Sequence, residues 1–211
     1  MGIHESQSRF YENIIGRSEA FISLIFPKIK ELFPEQFENV SAHDFYLAVN
    51  KAEPSLIRTE ADELTYSMHI MVRYEIEKRL MDGSLSTKDL PNEWNRLYKE
   101  YLGIDVPCDS MGCLQDSHWS GGALGYFPSY SLGSAYGAQF LHKMKQDIDI
   151  DKLVSENRID EVTAWLTEKI HKYGMLLTPA QLIENACGEE FNADYYIEYL
   201  TEKYNKIYEL K

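Results

Sequence analysis

Long apolar runs are missing from this sequence. No segment approaches the roughly 18 consecutive apolar residues of a membrane span, and Met1 to Arg9 has no apolar core of the kind a secretory signal carries. Cysteine is scarce and odd in number. Cys108, Cys113 and Cys187 form no Cys-x-x-Cys pair, which leaves no disulfide framework to read and implies free thiols in a reducing, cytoplasmic setting. Basic residues are also few: 21 Lys and Arg against 34 Asp and Glu give a formal charge of −13. Nucleic-acid binding needs clustered cations to displace counterions, and an anionic membrane surface needs the same, so both partners are excluded as expectations. A peptide substrate is not, because its binding depends on local charge in a cleft. Repeats and low-complexity stretches are absent too.

What is present suits an ordinary globular chain. A length of 211 residues with 44% hydrophobic and 26% charged residues is enough for a buried core, read here as one unit spanning 1–211. Fifteen Tyr, nine Phe and three Trp point to heavily packed helices. From about Ser8 to Phe33, Phe10, Ile14, Phe21, Ile22, Ile25 and Ile29 recur at helical spacing, with a break or kink expected near Pro27. Phe45 to Val49 is β-prone, and Ser55 to Arg58 is a second extended candidate, so a small antiparallel β element is expected. Ala61 to Met81 reads as a helix with Leu64, Met68, Met71, Val72, Ile76 and Leu80 on its inner face. Further helices are expected over Glu93 to Leu102, Leu132 to Met144 and Ile159 to Tyr173. One more begins at the capping box of Thr178-Pro179-Ala180-Gln181, and the last follows Asn192. Asp-Ile-Asp-Ile-Asp after Gln146 lacks the Gly and closing Glu of a calcium loop, so it reads as helix capping.

Chemistry concentrates between Gly112 and Gly133. Gly-Cys-Leu-Gln-Asp-Ser-His-Trp, residues 112–119, is followed by Gly-Tyr-Phe-Pro-Ser-Tyr-Ser-Leu-Gly, residues 125–133. A glycine-rich stretch crowded with titratable and aromatic side chains is a common way to build a site. Two shorter motifs accompany it: His4-Glu5-Ser6-Gln7, and Ile57-Arg58-Thr59-Glu60-Ala61-Asp62. Taken alone, Glu5 reads as a surface carboxylate near a helix N-terminus and Arg58 as an ion-pair partner.

The four motifs together, in this order, resemble the M32 family of metallocarboxypeptidases, typified by carboxypeptidase Taq. The resemblance runs from the first residues to Leu-Thr-Pro-Ala-Gln-Leu and the Tyr-rich C-terminus. It implies a mainly α, multi-helix zincin-like fold and a zinc-dependent enzyme that removes residues from peptide C-termini with broad specificity. It also implies a homodimer. The family's His-Glu-x-x-His motif precedes the tetrad and is not in this chain, so the chain is expected to be the C-terminal portion of a longer enzyme, with little tight zinc binding or activity by itself. The alternative is one half of a split enzyme, associating with an N-terminal half, or a non-enzymatic helical binding module. By the resemblance, Glu5 is the third zinc ligand and His4 its neighbour, orienting it or meeting substrate. Arg58 anchors the substrate carboxylate, for which a planar guanidinium is suited. His118 and Tyr130 donate hydrogen bonds to the oxyanion, and Asp116 holds His118 in one tautomer. Tyr126 is a substrate-pocket wall. Asp62 braces Arg58 or caps a helix.

Overall fold

A computed structural model describes residues 1–210. Among these there is no strand. Ten α-helices carry the chain: α1 Gly2–Arg9, α2 Glu19–Leu32, α3 Ala42–Val49, α4 Tyr66–Met81, α5 Leu90–Leu102, α6 Pro128–Asp147, α7 Ile150–Ser155, α8 Ile159–Lys169, α9 Pro179–Cys187 and α10 Asp194–Tyr208. None is long and apolar enough to cross a membrane.

The expected β element is therefore corrected, and the reason is local. Ser41 and Asp44 form a reciprocal capping box, with the Ser41 hydroxyl accepting from the Asp44 N–H and the Asp44 carboxylate accepting from the Ser41 N–H. This satisfies two orphan groups at once and starts a helix immediately before the aromatic run. Phe45, Tyr46 and Val49 then lie on α3, where Phe45 packs 5.6 Å from Phe26 of α2. Ser55 to Arg58 is irregular chain entering a 3-10 turn at Arg58–Glu60. The N-terminal helical region also breaks elsewhere than expected. α2 continues through Pro27, while α1 widens into a π-helical segment, Phe10–Ile15, and stops at Gly16. Ser18 starts α2 by accepting from the Phe21 N–H.

Several boundaries match the residues that mark them. Thr178 and Gln181 form the capping box of α9, with Pro179 in its first turn, and Asp149 accepts from the Lys152 N–H at the start of α7. Gly103 and Gly188 end α5 and α9 with φ of 73° and 83°, left-handed values that cost a glycine little. Asn192 accepts from the Asp194 N–H just ahead of α10.

Contacts divide the chain into two units. One comprises Lys51–Ser131 with Met1, and the other Gly2–Asn50 with Leu132–Lys211. In the first, α4 packs on α5 around Val72, Ile76, Trp94, Leu97 and Tyr98, and a second cluster gathers Ala61, Tyr66, Ile70 and Phe127. In the second, Phe10, Phe140, Met144, Val162, Leu166 and Ile183 are fully or almost fully buried at the centre of a larger core.

Within that second unit, α6 and α1 make an unusually close approach. A Cβ built on Gly133 would stand 2.6 Å from the Glu5 Cβ and 2.8 Å from the Ser6 backbone nitrogen. Only a residue without a side chain fits there, so the glycine of one motif fixes the seat of the helix that carries another. Gly137, one turn on, meets only ordinary contacts.

Candidate functional site

The motifs fall in both units, and each group has its own geometry. In the larger unit, the tetrad forms most of α1. The buried Ser6 hydroxyl donates to the Ile3 carbonyl at 2.7 Å, and the Gln7 amide donates to Ser6 Oγ at 3.0 Å. The other end of Gln7 pairs with His171 Nε2 at 2.8 Å, and His171 Nδ1 lies 3.2 Å from Thr167 Oγ1. Glu5 is half-buried and its Oε2 accepts from the Ser8 hydroxyl at 2.9 Å. His4 is exposed, on a different face of α1 from Glu5.

In the other unit, Arg58, Asp116, His118, Tyr126 and Tyr130 are brought together. The 3-10 turn at Arg58 points the guanidinium inward, and the residue is 5% exposed. Arg58 Nε and Nη2 both donate to Asp116 Oδ1, at 2.9 and 2.7 Å, and Nη1 donates to Tyr66 Oη at 2.8 Å. The rings of Tyr130 and Phe127 cover the guanidinium, with centroids 4.9 and 5.4 Å from Cζ. Burial works against the charged form of Arg58, yet the bonds to Asp116 and Tyr66 hold its pKa above the ordinary value. Burial likewise opposes the Asp116 carboxylate, and the two arginines overcome it, so its pKa is lowered.

The second arginine is Arg73 of α4, which the sequence reading missed. It is wholly buried, its Nε donates to Asp116 Oδ2 at 2.5 Å, and Nη2 makes an ion pair with the same oxygen. Its Cζ lies 4.6 Å from the centroid of the Trp94 ring. Its place is seen in the pattern of burial along α4. Tyr66, His69, Ile70, Arg73, Ile76 and Glu77 recur every three or four residues and form the buried face of α4, whereas Met71 and Leu64 are 43% and 39% exposed. Of the residues expected on the inner face, Val72 and Ile76 are fully buried and Met68 and Leu80 pack partly buried on the α4–α5 core, so hydrophobicity finds part of the face and passes over its polar members. On this face, His69 Nδ1 lies 3.1 Å from Tyr98 Oη, and Trp119 Nε1 donates to Glu77 Oε1 at 2.9 Å.

His118 and Tyr130 do meet: His118 Nε2 lies 3.2 Å from Tyr130 Oη. Tyr126 packs beside both, with ring centroids 5.6 Å from His118 and 5.3 Å from Tyr130. Asp116 is placed differently from expectation. Its Oδ1 is 3.9 Å from His118 Nδ1, beyond hydrogen-bond reach, and that nitrogen is buried without a partner. Both carboxylate oxygens are already committed to guanidiniums, which explains why the histidine is not held. Burial first, and then the Arg58 charge, push the His118 pKa down, so its neutral form is favoured. Asp62 caps the turn into α4 through Thr65 and accepts from the Glu53 N–H at 3.1 Å. It does not brace Arg58.

An all-helical chain with these motifs falls in the class of metallopeptidases, and the comparison with known families makes that assignment: residues 1–204 match the family described as Carboxypeptidase Taq (M32) metallopeptidase. The chain belongs to the M32 family. It is 49% identical over 209 residues to carboxypeptidase 1 of Bacillus subtilis, covering 99% of this chain and 42% of that protein. It is 44% identical over 205 residues to thermostable carboxypeptidase 1 of Pyrococcus furiosus, covering 97% of this chain and 41% of that protein. The crystal structure of an M32 carboxypeptidase from Deinococcus radiodurans superposes with a TM-score of 0.93 at 39% identity, over 98% of this chain and 42% of that one. The chain thus spans about two fifths of the length of these relatives.

The donor set can be tested against a catalytic metal. Such a zinc takes three protein ligands and keeps a position for water. Among the described residues no three His, Cys, Asp or Glu side chains cluster as a ligand group. Glu5 is one carboxylate, so these residues do not by themselves fit a catalytic zinc.

Proposed function

We propose that this chain is the part of an M32 carboxypeptidase that recognises the free carboxylate of a peptide C-terminus and stabilises the oxygen of its scissile carbonyl. The observation that carries the reading is the buried pairing of Arg58 and Arg73 on the single Asp116 carboxylate, beside the His118–Tyr130 contact. A buried cation with unused N–H donors attracts a carboxylate far more strongly than an exposed one, because little water screens it. When the His118 ring carries its hydrogen on Nε2, it donates to Tyr130 Oη, and the phenolic O–H is a donor of the kind that suits a substrate oxygen. Tyr126 walls this pair, and the buried Phe127 ring stands 4.5 Å from the His118 ring centroid.

In the whole enzyme the metal is zinc and Glu5 is one of its ligands, with the remaining ligands outside this chain. The enzyme is cytoplasmic and homodimeric, with neither nucleic acid nor membrane as a partner. A second reading, one half of a split enzyme that regains activity with an N-terminal half, is favoured by the two-fifths span against relatives.

The test is calorimetric binding of an N-blocked dipeptide and of its C-terminal amide, with zinc content and release of the C-terminal residue measured in the same sample. The expected result is binding of the acid over the amide, without stoichiometric zinc or turnover. Equal binding of acid and amide would remove Arg58 as the anchor. Turnover with stoichiometric zinc would show a complete donor set in this chain and overturn the assignment of the missing ligands elsewhere.

A further inference from the structure

We infer that Arg73 is a positioning residue for substrate recognition: by taking Oδ2 of Asp116, it stops that carboxylate from neutralising Arg58 and leaves Arg58 able to bind a second carboxylate, that of the substrate. The inference rests on the reading of Arg58 given above. A guanidinium facing a lone carboxylate normally engages both oxygens in a fork, one N–H to each. Here Arg58 Nε and Nη2 share the same oxygen, Oδ1, because Oδ2 is occupied by Arg73 Nε and Nη2. Asp116 is the one carboxylate within ion-pair distance of either guanidinium among the described residues. Two positive groups on one negative group leave a surplus of one positive charge, in a site where the side chains of Arg58, Arg73 and Asp116 are 6%, 0% and 5% exposed.

The donors balance in the same sense. A guanidinium has five N–H groups, and Arg58 spends three of them, two on Asp116 and one on Tyr66. Two remain, one on each Nη, the pair of atoms that binds a carboxylate end-on. Arg73 cannot serve the substrate itself. It is wholly buried, and its Nη1 is directed to the His69 carbonyl at 2.7 Å and the Tyr98 hydroxyl at 3.3 Å. Its contribution is to charge and orientation at Arg58, through Asp116.

The consequence is a pattern that simple loss of structure does not produce. In Arg73→Gln, Asp116 is released to pair fully with Arg58, and the surplus charge disappears. In the double variant Arg73→Gln/Asp116→Asn, the Asp116 counter-charge and the Arg73 charge are both gone, and Arg58 is left with its own positive charge unneutralised. We would measure the acid-over-amide preference for an N-blocked dipeptide, by calorimetry, in wild type, Arg58→Gln, Arg73→Gln, Arg73→Lys and the double variant. The single glutamine variant is expected to lose on the order of tenfold or more of the preference, about the worth of a hydrogen bond to a charged group. The double variant is expected to recover most of it, and Arg73→Lys to stay near wild type because it keeps the charge. A double variant as poor as Arg73→Gln would overturn the inference, and so would an Arg73→Gln protein that keeps the preference. Should Arg73→Gln fail to fold, Arg73→Lys decides, and loss of the preference there overturns the charge-balance argument. Arg58→Gln separates the two levels. If it keeps the preference, the reading of Arg58 itself fails, whereas its loss there with none in Arg73→Gln refutes the Arg73 inference alone.

Discussion

Removing the Asp116 carboxylate strands two guanidiniums whose side chains are 6% and 0% exposed. Breaking a buried pair by taking away one partner costs about 3–5 kcal/mol, because an uncompensated charge stays inside. Asp116→Ala should therefore lower unfolding free energy by about that amount, measurable as a reduced urea midpoint at unchanged slope. His69 gives a pH prediction. Burial first, and the Arg73 and Arg58 charges after it, push its pKa from 6.5 down to about 4. Above pH 6.5 the ring is neutral in both folded and unfolded chains, so its contribution to stability is fully present. Between 6.5 and 4 the unfolded chain takes up the proton and the folded one resists, so stability falls as pH falls, by about 3 kcal/mol in all. His118 and His171 are shifted in the same direction. Urea midpoints followed from pH 7 to pH 4 should drop less steeply in His69→Gln than in wild type; identical slopes would show that His69 does not carry the effect. At this scale the sequence exposed Arg58, Asp116, His118 and Tyr130 as a group, while Asp116's true partner was hidden. Arg73 lies 43 residues from Asp116, and nothing local marks the pair.

Helices impose a different kind of constraint. The close crossing of α6 over α1 at Gly133 leaves no room for a methyl group against backbone atoms of Glu5 and Ser6. Gly133→Ala should cost about 1–3 kcal/mol through overpacking and shift α1 with its tetrad. Gly137→Ala, whose nearest neighbours would be 3.5 and 3.6 Å away, should be neutral or stabilise by up to about 1 kcal/mol through helix propensity. The comparison of the two melting curves checks the crossing, and equal destabilisation would contradict it. Thr178→Ala removes one side of the α9 capping box and should cost about 1 kcal/mol in the same assay. Element boundaries were legible at Thr178 and Asp149, whose side chains cap the helices they start, and at Gly103, whose left-handed backbone ends α5. Phe45 to Val49 is the exception: its β propensity points to a strand, and the Ser41–Asp44 cap just upstream makes it helical. A satisfied N-terminus outweighs an aromatic run, since propensity differences are fractions of a kcal/mol per residue.

For the whole molecule, the two units show that chain order is a poor guide to what packs together. Gly2–Asn50 joins Leu132–Lys211, with the Arg58–Asp116–Arg73 unit inserted between them in sequence. Several large apolar side chains stay in solvent, among them Met175 at 94%, Leu176 at 84% and Leu114 at 72%. Adjacent exposed apolar residues favour association. Sedimentation equilibrium should show a mass that rises with concentration, and Met175→Ser/Leu176→Ser should lower it towards that of the single chain. A mass independent of concentration and of these substitutions would exclude that surface.

The sequence by itself determined helical periodicity, the caps, the acidic charge and four motifs specific enough to carry the family, because each of these is written in residues close together along the chain. Only the tertiary structure decided that Arg73, His69 and Glu77 share the buried face of α4, that Asp116 serves two arginines and not His118, and that Gly133 seats the helix bearing Glu5. Those outcomes depend on competition between side chains far apart in sequence for the same hydrogen-bonding groups and the same space. That competition is settled by packing and has no local signature.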